Sequence, residues 1–547
     1  MSSYVFPNKS DDNARIKLEQ FIALQSGKEP NSNLSHNQCV IDLRAVSEPT
    51  HPKTFTLFIN LDRSGSMMLR VKDRTILEHA QHTLENIIHH FASPENYPNT
   101  KFNIIINHFD NENLLVMIDG NVVISLDETT APKLVAEIKT IKPRGTTDIG
   151  AACAKACEIL TQKDIGPCAH ILLTDGNPTA GIKTSKGISK IVPQHCDNVF
   201  IGFGGDHDDV LLTEIASTVG GEYAFVDNIE NAGIVYGEYL DNILSRVATN
   251  IAVTTENCEI FFENKWQHTY KVPSMSSEMK KILYLRHAWD TSDPIKLTLS
   301  YENFSYEGID ESEVLATHEI IINEYEKTKD VEASERNTEV IKKFWAVTVM
   351  GILDRIVTPK KQICYDIHNL SVDSDEDTED PEMSIHGIEH VASEEIKNCL
   401  DDLKQYMSNH DLEDDLFLVG LCDDLIIGYE LLDKRKGKIL IRARLNGLRH
   451  QLSYQPSNVQ LFREIERDDY NGLSGRSMLS TSSVSSSGLS FRCSRKNYKD
   501  DDFLPKPLPV LTHQISGRNT SAFTTPSQSK IQRSISIGTQ DTMSDMA

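Results

Sequence analysis

The sequence predicts an α/β fold, a doubly wound and mostly parallel sheet, followed by a small antiparallel β domain, a helical region and a disordered tail. Three observations predict it. The run Phe55–Leu61 is β-branched, aromatic and apolar on both faces, as suits a central strand covered on both sides. A second such run, Ala169–Thr174, ends like the first in an acid: Asp62 follows one and Asp175 the other. Helical spacing fills the stretches between, and beyond Ile251 the pattern changes to short alternating runs.

Residues 1–52 read as an N-terminal extension, with a short helix near Ile16–Leu24 and a strand near Val40–Val46. The α/β domain is expected over 53–248. Its first helix, from about Leu69 to Phe91, carries His79, His82, His89 and His90 on one side and Ile76, Leu84, Ile87 and Phe91 on another. No cysteine or acid is arranged among the histidines, so a solvated face is expected rather than a zinc site.

The first strand runs into Asp62-Arg63-Ser64-Gly65-Ser66. Open α/β sheets bind ligands at the carboxyl ends of their strands. One carboxylate and two hydroxyls at such an end form half of an oxygen-only cage for a hard divalent cation. Asp175 brings a second acid to a strand end, and between the two lies the glycine-flanked turn Arg144-Gly145-Thr146-Thr147-Asp148-Ile149-Gly150, entering a helix of small residues.

This trio resembles the metal-ion-dependent adhesion site of the von Willebrand factor type A family, whose domain is Rossmann-like. The resemblance implies a metal site of Asp62, Ser64, Ser66, Thr147 and Asp175. Thr147, not Thr146, holds the third place of the family's Gly-x-Thr. It further implies that Ser64, Ser66 and Thr147 touch a Mg2+ or Mn2+ ion, that the two acids act mainly through waters, and that a partner's Asp or Glu completes the shell. Val199–Gly204, Asp208–Ala216 and Gly220–Val226 are similar to the family's fifth strand, next helix and last strand. His108-Phe109-Asp110 and Asn177–Gly181 would surround the site, and Arg63 and Arg144 either assist a partner carboxylate or face away.

A final helix of this domain, Ile229–Val247, leads into the small β domain expected over 249–328, with Glu259–Phe262, Ile282–Leu285 and Ile295–Leu299 among its strands. The helical region spans 329–470: Val340–Asp354, stopped by Pro359, then Ala392–Met407, Leu416–Leu432 and Ile439–Gly447. An acidic linker near 371–384 interrupts it. It lacks the glycine and terminal glutamate of a calcium loop, and its like charges favour solvation. This half of the chain resembles protist and viral intein-associated type A proteins. Residues 471–547 are Ser-rich and expected to be disordered, the short Pro505–Pro509 and Arg533–Ser536 patterns included.

Bulk composition narrows the function. The 547 residues exceed one core, and two to four domains is the prior. A formal net charge of −25 argues against a nucleic-acid or anionic-membrane surface. The ten cysteines are dispersed with no C-x-x-C pair, as in a reduced, cytoplasmic protein. Neither a signal-peptide pattern nor an apolar run near the roughly 20 residues of a membrane span is present. No Gly-x-Ser-x-Gly, His-Glu-x-x-His or phosphate-binding loop appears, so the chain is expected to be no enzyme. The expected function is metal-dependent protein–protein interaction. The alternatives are a scaffold or ubiquitin-pathway component with an incidental metal, or a metal-dependent hydrolase.

Overall fold

The computed structural model describes residues 14–23, 36–71, 74–162, 165–228, 231–288, 294–309, 314–322, 332–358, 381–432, 434, 436–459, 515–516 and 521–536. The chain begins with β1 (Ile16–Ala23) and β2 (His36–Ala45) and enters the α/β unit at β3 (Thr54–Asp62). A two-residue hairpin, β4 (Arg70–Val71) and β5 (Arg74–Thr75), leads to α1 (Ile76–Ala92). Then come β6 (Lys101–Phe109), β7 (Asn113–Leu115), β8 (Ile124–Ser125), α2 (Thr130–Ile138), α3 (Ile149–Leu160), β9 (Cys168–Thr174) and α4 (Ser185–Ser189). The unit closes with β10 (Asp197–Phe203), α5 (Asp209–Val219), β11 (Glu222–Val226) and α6 (Ala232–Leu244).

Its mixed sheet has the order β11-β10-β9-β3-β6-β7, with β8 also on β6; β11 through β6 are parallel and the short β7 and β8 antiparallel. β3 is central, and its alternation splits its side chains between two layers. Phe55, Leu57, Ile59 and Leu61 join the core beneath α1, α2 and α6, whereas Phe58 packs with Ala156 and Ile159 of α3. Each buried side chain of this kind is worth about 1.5–3 kcal/mol, which is why the strand is apolar on both faces. α1 starts at a capping box: Thr75 Oγ1 accepts from Glu78 N at 3.2 Å and Glu78 Oε2 from Thr75 N at 2.7 Å.

The helix expected near Ile16–Leu24 is the strand β1. Ile16 and Leu18 alternate into an apolar core and β1 pairs antiparallel with β2, so a two-residue period overrides a brief helical spacing. The described strands of the expected extension share a sheet with strands after residue 246. β1 and β2 belong to a sandwich with the strands β12 (Arg246–Glu256), β13 (Glu259–Phe262), β14 (Lys265–Gln267), β15 (Thr269–Ser276), β16 (Lys280–Ala288), β17 (Ile295–Asn303) and β18 (Leu315–Ile322). One sheet runs β1-β2-β16-β13-β14 and the other β15-β12-β17-β18.

The helical region comprises α7 (Glu332–Val357), α8 (Pro381–Asn409), α9 (Leu416–Glu430) and α10 (Lys438–His450). Its core reaches Val40, Phe261, Ile282 and Tyr284, so the helices cover one outer face of the sandwich. α8 begins inside the stretch expected to be an acidic linker; residues 371–380 lie outside the described residues.

Two expectations fail at the rear of the α/β unit. Within the tail expected to be disordered, Pro526–Ser536 is a helix, α11, with Ile531 and Ile535 buried in the core shared by α1 and α6. A Cβ on Gly237 would stand 3.1 Å from the Gln532 Cα, so that glycine admits the helix at close range. The Ser-rich stretch and Pro505–Pro509 lie outside the described residues. The α1 histidines do not share a solvated face either. His90 is buried beneath α11, its Nδ1 2.7 Å from Ser534 Oγ, and His79 is buried with Nε2 3.0 Å from Val71 O. His82 is half-buried and His89 exposed, so the stripe is covered in part, at His79 by the nearby Val71 and at His90 by the distant Ser534.

Among the described residues no helix is long and apolar enough to cross a membrane.

Candidate metal centre

Parallel pairing sets β3 between β6 and β9, so Asp62 and Asp175 emerge side by side at one end of the sheet. Asp62 is fully buried. Its Oδ1 accepts from Ser64 N at 2.7 Å and its Oδ2 from the Thr174 hydroxyl at 2.6 Å. Past Ser64 the chain makes one 3-10 turn, Gly65–Met68, which folds Ser66 back so that its Oγ lies 3.0 Å from Ser64 Oγ. Ser66 Oγ also donates to Asp175 Oδ1 at 2.7 Å, joining the first loop to the end of β9.

Two backbone bonds hold the middle loop against the first. Arg144 N donates to Arg63 O at 2.7 Å and Gly65 N to Gly145 O at 3.2 Å. Gly145 has φ +73° and a Cβ there would meet Asn111 Oδ1 at 2.5 Å, so this approach requires glycine. Thr147 is buried, its N–H donating to Thr179 Oγ1 at 2.9 Å while its carbonyl accepts from Thr179 N and Ala180 N. Thr146 is exposed. Asp148 caps α3 by accepting from Ala151 N at 2.9 Å. A Cβ built on Gly176 would stand 3.6 Å from Ser66 Oγ and 3.8 Å from Thr147 Oγ1, so these oxygens flank the same small residue beside Asp175. All five sequence-predicted residues thus lie around one point at the carboxyl ends of the central strands.

The electrostatics of this cluster suit a cation. Burial pushes the Asp62 carboxyl up to about 7, with the charge of Asp175 adding to the rise and the Thr174 and Ser64 hydrogen bonds opposing it. Burial likewise pushes Asp175 up to about 6, against the Ser66 hydrogen bond and with the charge of Asp206 adding to it. The hydrogen-bond donors described on both acids are hydroxyls and backbone N–H groups. Two desolvated carboxylates and three hydroxyl oxygens, with no nitrogen or sulfur donor, match the preference of a hard divalent ion.

Arg63 and Arg144 turn to Asp110 instead of the cluster. Asp110 Oδ2 lies 3.1 Å from Arg63 Nη2 and accepts from Arg144 Nε at 2.6 Å, and Arg144 also pairs with Glu112. Both guanidiniums therefore brace the loops. The sequence reading missed two participants. Thr174, the residue before Asp175, holds Asp62, and its only signal is a hydroxyl ending an apolar strand. Asp206, after β10, takes the Asn177 amide on its carbonyl at 3.0 Å and Lys436 Nζ on Oδ1 at 3.0 Å. Arg442 of α10 grips Asp209 with bonds of 2.6 and 3.0 Å. The helical region therefore reaches the rim of the site, a relation invisible in sequence.

Residues 57–177 match the sequence family described as von Willebrand factor type A domain. Among solved structures, the ArnB paralog VWA2 from Sulfolobus acidocaldarius is similar at 14% identity and TM-score 0.40, over 79% of this chain and 98% of that one. A von Willebrand factor type A protein from Catenulispora acidiphila is similar at 13% identity and TM-score 0.42, over 78% and 89%. Proximal thread matrix protein 1 from the mussel byssus, solved with a zinc-occupied metal-ion-dependent adhesion site, is similar at 19% identity and TM-score 0.25, over 34% and 44%. No curated protein gave a significant match.

Proposed function

Taking residues 57–177 as the von Willebrand factor type A domain they match, we propose that this chain is a metal-dependent protein-interaction module and not an enzyme. Asp62, Ser64, Ser66, Thr147 and Asp175 would hold one Mg2+ or Mn2+ ion. Bound there, the ion supplies a Lewis-acid position that a partner's Asp or Glu can fill. The observation that carries this reading is the convergence of the hydroxyls and acids: Ser66 Oγ sits 3.0 Å from Ser64 Oγ and 2.7 Å from Asp175 Oδ1, with Thr147 across Gly176.

The chain's own residues prepare the site. Thr174 and the Ser64 amide point the Asp62 carboxylate, and Ser66 ties the first loop to the end of β9. Arg63 and Arg144, by holding Asp110, brace the first and middle loops beside the site. A cytoplasmic setting belongs to the proposal on cysteine usage alone. The scaffold, ubiquitin-pathway and hydrolase readings are outcomes that the tests separate.

Titration calorimetry with magnesium and manganese should give one site in the wild type and none in Asp62→Ala, with native circular dichroism in both. Unchanged affinity in that variant would sink the assignment. Capture of a partner in magnesium should fall in Thr147→Ala and on chelation. Equal capture in all three conditions would make the domain a scaffold, and turnover of a bound substrate would make it an enzyme.

A further inference from the structure

At the end of the sheet away from the metal centre, β9 and β10 start side by side. They run parallel with Ala169 opposite Asp197, which brings Cys168 and Cys196 abreast one residue earlier. Neighbouring strands lie about 4.8 Å apart, within the roughly 4.4–6.8 Å Cα separation that a disulfide spans. The side chains also meet. Cys168 is buried with Phe58, Ile105 and Ile159, and Cys196 packs against this cluster as a partly exposed thiol. The two thiols are near enough to shift each other's acidity.

We propose that Cys168 and Cys196 are a reversible redox pair that closes the segment 168–196 with a disulfide when a small disulfide oxidant is present. The exposed member, Cys196, loses its proton and attacks one sulfur of glutathione disulfide, giving a mixed disulfide and one glutathione thiolate. Cys168 then loses its proton, attacks the Cys196 sulfur and displaces the second glutathione as a thiolate. Two protein S–H bonds become one S–S bond, and the oxidant leaves as two thiols. The contact between them lowers the Cys168 thiol and raises the Cys196 thiol, so access to the oxidant, not acidity, makes Cys196 the first to react. The closed segment contains α4 and the strand that leads into Asp175. Its cross-link restricts the unfolded chain more than the folded one.

The test incubates the full-length chain with glutathione disulfide, blocks remaining thiols with N-ethylmaleimide, and maps the peptides by mass. The expected result is a fall of two from the ten thiols of the sequence, a single peptide pair linking Cys168 to Cys196, a raised melting midpoint, and reversal by dithiothreitol. Cys196→Ser should lose both the linked pair and the midpoint shift. If that variant fails to fold, the wild-type peptide map still decides the matter. Ten blocked thiols after the same treatment, a link between other cysteines, or glutathione left on Cys196 beside a blocked Cys168 would each overturn the proposal.

Discussion

Asn60 Nδ2 donates to His170 Nε2 at 2.8 Å inside the sheet of the α/β unit. The same amide nitrogen donates to Ala152 O of α3 at 3.1 Å, and Asn107 Nδ2 donates to Asn60 Oδ1 at 2.7 Å. With Nε2 accepting, the His170 proton sits on Nδ1 and goes to Asn198 Oδ1 at 2.9 Å. A polar row thus crosses β6, β3, β9 and β10 under an otherwise apolar layer. The imidazole at its centre is neutral, its two nitrogens taken by Asn60 and Asn198, and two residues further along β3 lies Asp62.

That row makes stability depend on pH. Burial lowers His170 to about 4, with the Asn198 bond partly opposing the fall, against roughly 6.5 in the unfolded chain. Between those values the unfolded state binds the proton and the folded state does not, so stability is full above about 6.5 and falls as pH drops towards 4. From pH 7 to 4 the wild type should lose about 3 kcal/mol more than His170→Gln. Urea unfolding across that range measures it. The buried His90 and the half-buried His108, each lowered to about 4 mainly by burial, act in the same window in both proteins and cancel in the comparison.

Thr174→Val keeps the shape of the β9 terminus and removes the donor to Asp62 Oδ2. An acceptor left in a buried site costs about 1–3 kcal/mol, to be read as a lower urea midpoint. Magnesium affinity should fall as well, because the carboxylate loses the bond that aims it. An unchanged calorimetric titration would show that Thr174 does not position Asp62.

Gly237→Leu should expel α11, because the new side chain would start 3.1 Å from the Gln532 Cα. The expected loss is about 1–3 kcal/mol, with faster proteolysis between 521 and 536. In a chain ending before Pro526 the same substitution should cost little. A full cost there would mean that the glycine serves α6 itself.

Arg444 and Asp424 form an ion pair at 2.5 Å with both side chains buried between α9 and α10. Arg444→Met should destabilise by about 3–5 kcal/mol, since it strands a buried carboxylate. Adding Asp424→Leu should recover most of that loss. If the double variant is no more stable than the single one, packing around the guanidinium outweighs its charge.

Much of the candidate site was legible because its residues lie next to strand ends. Phe55–Leu61 and Ala169–Thr174 are apolar throughout, so they mark central strands, and an acid or hydroxyl directly after such a strand has little freedom over where it emerges. The Gly145–Thr147 turn adds a local signal, since a positive φ calls for glycine. What sequence could not reach was set by contacts between distant segments. Ile16–Ala23 forms a strand because β2 and the strands after residue 246 supply its partners and its core. His90 is buried because Ser534 stands over it, and 526–536 is helical where Gly237 leaves room. Arg63 and Arg144 serve Asp110, a choice made by loop geometry that motif spacing does not encode. The sequence by itself determined the elements whose periodicity is strong and the donors one or two residues beyond them. The tertiary structure alone decided which surfaces stay open and which are covered, because burial depends on neighbours hundreds of residues away.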